Sequence, residues 1–149
     1  MSGYAPRAGD ELPVLAVRTD TGQVFRYSAV TWNGHRIHFD HDYALAEGYE
    51  GVLVQSHLHG AFLTRACTDW LGPSGRLLSM SYRITSPAVA GELLNIHGTV
   101  RDIEVAAPGS WRAIIDLEER DDAGRICAGG EAQVERKAAM NGSPVPDGA

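Results

Sequence analysis

Cysteine is scarce: the chain has two in 149 residues, Cys67 and Cys127, each set among apolar neighbours. No CxxC pair offers zinc or redox chemistry, and a disulfide staple is not expected in a chain of this size, so both read as small core residues. Long apolar runs are missing, since none approaches the roughly 20 residues that crossing a bilayer requires. Positive charge is in deficit, with 13 Lys and Arg against 19 Asp and Glu, a net charge of -6 and a pI near 5.4. That balance argues against nucleic acid as the main partner, because neutralising phosphates needs a basic face. The first residues, "MSGYAPRAGDELP", lack the basic and apolar regions of a signal peptide. The expectation is a cytoplasmic protein that does not enter the membrane.

What is present is ordinary globular material: 44% hydrophobic and 21% charged residues in 16.0 kDa, enough for one domain with one core. Residues 1–9 and the tail 137–149, "KAAMNGSPVPDGA" at its end, are rich in Gly, Pro and Ala without periodicity and are expected to be mobile. Residues 10–136 form the domain. "ELPVLAVRT" reads as a first strand and "QVFRYSAVTW" as a short helix with Val24, Tyr27 and Val30 at helical spacing. "DHDYALAEG" reads as a second short helix, opened by Asp40 or Asp42 and closed by Gly48. The longest helical pattern, about Gln55 to Leu71, is apolar nearly all round and polar mainly at Arg65 and Asp69, so it is expected to be buried on most of its circumference. Four strand-like runs follow, separated at Pro87 to Gly91, Pro108-Gly109 and Asp122 to Gly124, with alternation through Trp111, Ala113, Ile115 and Leu117. Short separators imply an antiparallel meander. The fold class is α+β, a sheet wrapped around one helix.

The chemistry concentrates in "TWNGHRIHFDHD", Thr31 to Asp42, where His35, His38 and His41 recur every third residue among Asn33, Asp40 and Asp42. Three readings are open. A metal site would need three or four converging ligands, and Gly34 and Arg36 weaken the segment as a regular helix able to present them. An acid–base centre needs only one histidine near its ordinary pKa and an orienting partner. His38, between Ile37 and Phe39, is placed to face partly inward. The third reading is a packed His38 beside two solvated histidines.

The segment "AVTWNGHRIHFDHDYALAEGYEGVLV" and the apolar helix after it resemble the signature region of MaoC-like hydratases and dehydratases of hot-dog fold. The resemblance runs nearest to type 2 hydroxyacyl-thioester dehydratases and mesaconyl-CoA-type hydratases. "SYRITSPAVAGELLNIHGTV" is similar to the strand pair that follows in that family and "GGEAQVER" to its last strand, so the likeness covers roughly residues 10 to 136. It implies a single hot-dog domain, a long central helix wrapped by a curved antiparallel sheet and paired with a second such fold. The implied reaction is reversible addition of water to a trans-2-enoyl thioester of coenzyme A or acyl-carrier protein, with no cofactor and no metal. The family motif, an aspartate, an asparagine and a histidine spaced 0, +2 and +5, falls here on Asn33, His35 and His38. Asn33 cannot act as a base, and the nearer branch also carries Asn-Gly-His, so the likeness makes His38 the general base and acid, with Asn33 and His35 orienting water.

Two further implications concern the substrate. The family's glycine at the start of the central helix, whose N–H polarises the thioester carbonyl, is replaced in "QSHL", which marks Gln55, Ser56 and His57 as substrate-binding candidates; plain helix capping is the alternative for Gln55 and Ser56. Arg83 is a candidate for the carrier's phosphates. Asp40 either fixes a histidine tautomer or caps a helix, and His59 is expected to be solvated or internally satisfied. Beside the hydratase expectation stand a specialised dehydratase or lyase acting on a polar acyl chain, and a non-catalytic hot-dog subunit of a heteromeric hydratase. A homodimer or heterodimer is expected, because a wrapped sheet leaves an edge strand to cover.

Overall fold

The computed structural model describes residues 5–137, and expectations for residues 1–4 and 138–149 lie outside them. The chain enters along the sheet: Ala5 packs on the core, and the Gly9 N–H donates to Val100 O at 2.8 Å. Strand β1 (Leu15–Arg18) is short. Helix α1 (Thr21–Thr31) begins at Asp20, whose Oδ1 accepts the Gln23 N–H at 2.7 Å. It buries Val24 and Ser28, while Val30, expected to face inward, is 75% exposed. The reason is angular: Ser28 lies four residues from Val24 and shares its face, whereas six residues carry Val30 well round the helix.

A 3-10 turn (Arg36–His38) leads to α2 (His41–Ala46). Asp40 Oδ1 accepts the Tyr43 N–H at 3.0 Å to start α2, and Gly48, at φ 89°, takes the left-handed backbone that ends it. Helix α3 (Ser56–Leu71) has the expected bounds. Leu58, Phe62, Leu63, Ala66, Cys67 and Leu71 are buried, while Ala61, Arg65, Thr68 and Asp69 form a narrow exposed stripe along which Arg65 and Asp69 pair.

The remaining strands are β2 (Gly75–Ile84), β3 (Leu93–Ala107), β4 (Ser110–Arg120) and β5 (Ile126–Arg136). All pairings are antiparallel, in the order β1-β3-β4-β5-β2. The expected meander is therefore only partly right. β3, β4 and β5 form one, but β2 lies at the far edge, next to β5. The connection after β2 is long enough to cross over rather than turn back, and its Ala88 and Ala90 bond instead to Val54 and Val52, ahead of α3. The inner face of the sheet, with Leu94, Ile96, Val100, Trp111, Ala113, Ile115, Leu117 and Val134, closes on α3 as one core. This is the α+β hot-dog arrangement. Cys67 and Cys127 lie inside it, and burial pushes both thiols up to about 11, which keeps them protonated and inert.

Candidate active site

The site is built where the 3-10 turn meets the chain entering α3. The Leu53 N–H donates to Ile37 O at 2.9 Å, and His38 Nδ1 lies 2.8 Å from Leu53 O. A carbonyl oxygen can only accept, so Nδ1 carries the proton and the neutral ring keeps its lone pair on Nε2. His38 is buried, and that burial, ahead of the other influences, lowers its pKa below the ordinary histidine value. At neutral pH the ring is a base in waiting.

His35 has the opposite polarity. Its Nδ1 accepts the Ile37 N–H at 3.4 Å, so the proton of the neutral ring sits on Nε2, facing an exposed surface. The His35 and His38 ring centroids are 6.1 Å apart. Asn33 Oδ1 accepts the His35 N–H at 3.2 Å, which closes the loop around Gly34 and leaves the Asn33 amide N–H groups as donors. One half-buried carboxamide, one imidazole donor and one imidazole acceptor thus border the same small loop.

Leu53 also ties this loop to α3. Ser56 is three residues farther on, at most about 11 Å of chain. The Gln55 side chain makes no capping bond. The Ser56 and His57 N–H groups, in the first turn, have no acceptor among the described residues, so they and the positive end of the helix dipole are free to receive negative charge. Both residues are exposed.

Gln55 is placed differently from expectation. Its side chain is fully buried, and Nε2 donates to Val24 O at 2.7 Å and to Ser28 Oγ at 2.8 Å. It neither caps α3 nor faces a substrate; it fastens α1 over the start of α3. Asp40 fixes no histidine tautomer either. It caps α2 and pairs with Arg36 at 2.6 Å, whose hydrogen bond holds the carboxyl below the usual range. The tautomer is set by a backbone carbonyl. Arg83 alternates with the inward Tyr82 and Ile84 and so lies on the outer face of the sheet, beside a hollow of about 540 Å³ that Arg101, Asp116 and Glu131 also border. It is not brought to the histidines. His41 is exposed beside Asp42, and among the described residues no three His, Cys, Asp or Glu side chains converge as a metal site.

Two features escaped the sequence reading. His59, satisfied as one alternative held, donates from Nδ1 to Glu119 Oε1, with both side chains buried between α3 and β4. The signal was available: Glu119 continues the inward parity of Trp111, Ala113, Ile115 and Leu117. The other is Tyr82, whose hydroxyl donates to Ser56 O at 3.2 Å.

Residues 7–90 match the family described as hydroxyacyl-thioester dehydratase type 2. Among curated proteins, the mesaconyl-C(4)-CoA hydratase of Chloroflexus aurantiacus is 47% identical over 100 residues, 64% of this chain but 35% of that enzyme, so the match spans about a third of the longer protein. The 3-oxo-4,17-pregnadiene-20-carboxyl-CoA hydratase beta subunit of Mycobacterium tuberculosis is 28% identical over 92 residues, 62% of this chain and 71% of that subunit. Among solved structures, an (R)-hydratase from A. caviae involved in PHA biosynthesis superposes with a TM-score of 0.78 at 19% identity, covering 89% of this chain and 98% of its own.

Proposed function

The chain belongs to the hydroxyacyl-thioester dehydratase type 2 family, and from that premise we propose that it is a hydro-lyase that adds water reversibly to a trans-2-enoyl thioester, with His38 as its general base and acid. The observation that carries this reading is the buried His38 ring, its Nδ1–H committed to the O of Leu53, which lies three residues before the unpaired N–H groups at the start of α3, and its Nε2 left basic. A water held between the His35 Nε2–H and His38 Nε2 gives its proton to His38 as its oxygen attacks Cβ. The electron pair of the double bond moves onto the thioester oxygen, where the Ser56 and His57 N–H groups and the dipole of α3 stabilise it. His38 then returns the proton to Cα on the same face, which makes the addition syn. Asn33 orients the water or the carbonyl without titrating.

The substrate reading favours a polar acyl chain. Ser56 stands where the family pattern has glycine and His57 sets an imidazole beside it, and the 47% identity to a hydratase named for a dicarboxylic thioester points the same way. Incubating the purified protein alone with crotonyl-CoA, trans-2-octenoyl-CoA and mesaconyl-C(4)-CoA, and following loss of enoyl absorbance with and without EDTA, tests both parts. Turnover unaffected by chelator, fastest on the dicarboxylic substrate, is expected. No turnover alone, with activity appearing only on addition of a second hot-dog chain, would favour the subunit reading, which the likeness to a hydratase beta subunit also supports.

A further inference from the structure

Tyr82 is the inward residue of β2 directly opposite Gly130 of β5. The residue of α3 that faces it is also a glycine: a Cβ on Gly60 would stand 2.4 Å from the Tyr82 hydroxyl oxygen and 2.5 Å from the ring carbon that bears it. The missing side chain on the helix thus makes the slot that the ring fills, while at Gly130 a Cβ would meet Ser81 O and the Tyr82 Cα, so that glycine lets β5 lie close against β2. The ring is only half-buried there, and its hydroxyl ends on Ser56 O. Tyr27 of α1 is partly buried against the same core, and its phenol is raised in pKa first by burial and then by the neighbouring Tyr82.

Residues four apart share a helix face, so Ser56, Gly60 and Thr64 form one row along α3. An acyl chain whose carbonyl rests on the Ser56 N–H and which lies along that row meets the Tyr82 ring one helical turn later, ~5.4 Å on, the length of about four carbons. We propose that Tyr82 sets the acyl length of the site: seated against Gly60, its ring closes the groove along α3 and restricts the enzyme to short acyl groups. This rests on the thioester placement given above, and it adds the residue that decides which thioesters fit.

The test uses saturated thioesters, which cannot be hydrated, so that it does not depend on turnover. Calorimetry of butyryl-CoA and octanoyl-CoA binding to wild type, Tyr82→Ala and Tyr82→Phe is expected to show that wild type binds the short thioester at least about tenfold more tightly. Tyr82→Ala should shift the octanoyl-to-butyryl ratio by roughly tenfold or more towards octanoyl, because it opens the groove. Tyr82→Phe, which keeps the ring, should retain the wild-type ratio. If Tyr82→Ala does not fold by circular dichroism, Tyr82→Leu, which fills less of the slot but keeps an apolar contact, replaces it with the same expected direction. An unchanged ratio in the folded truncation variant overturns the proposal, as does a wild type that binds both thioesters equally or neither. Loss of crotonyl-CoA turnover alongside an intact binding preference would instead count against the hydratase reading alone.

Discussion

In the proposed mechanism, burial of one imidazole sets the working pH range of the site. His38 must be neutral to take a proton from water, and its lowered pKa keeps it neutral to more acidic pH than a free histidine. The acid limb of kcat/KM against pH should therefore have its midpoint below the ordinary value of about 6.5. A midpoint above it would mean that another group governs turnover. His38→Ala should lower kcat about 10²- to 10⁴-fold, and Asn33→Ala about 10- to 10²-fold because it only orients; steady-state assays on one enoyl-CoA with the folded variants decide both. At this scale the sequence was legible where identity carries the chemistry. His38 between two apolar residues was enough to point it inward. The group that fixes its tautomer was hidden, because Leu53 acts through its carbonyl and any residue there would offer the same atom. Gln55 misled for a related reason: a polar side chain beside a helix start reads as a cap or a substrate contact, and only the position of α1 shows what its amide reaches.

Between elements, two small polar contacts hold the site in shape. Gln55 fastens α1 to the start of α3, and Gln55→Ala would leave the buried Ser28 hydroxyl without this donor and strip Val24 O of the bond it accepts beyond the helix. The expected loss is about 1–3 kcal/mol of stability, measured by urea denaturation. Asp40 caps α2 just after His38, and Asp40→Ala should cost about 1 kcal/mol while reducing kcat far less than His38→Ala; an equal kinetic loss would restore a catalytic role for Asp40. The elements themselves were legible because hydropathy has a period. α3 showed as a long apolar helix and β4 as strict alternation. Their pairing was not, because the same alternation suits either neighbour, and nothing local in β2 says that its partner is the last strand rather than the next one.

For the whole molecule, the exposed flank of β2 is the main liability. It is a ten-residue edge strand whose inner residues Leu77, Met80, Tyr82 and Ile84 are only half-covered, and Leu78 beside them is 40% exposed. Closing such an edge against a second hot-dog chain removes unpaired backbone and apolar surface together. A dimer is therefore expected by light scattering at micromolar concentration, and a monomer there would leave the edge unexplained. The sheet order also imposes a schedule on folding. β2 follows α3 directly on the ribosome, but its partner β5 is the last of the described strands to be made, after the β3–β4 hairpin, so β2 has no strand to pair with as it emerges beside α3. That helix must wait, half-wrapped, until residues near Arg136 have left the exit tunnel. A nascent chain halted before Ile126 should accordingly be a substrate for chaperones, and one released after Arg136 should fold to completion without them.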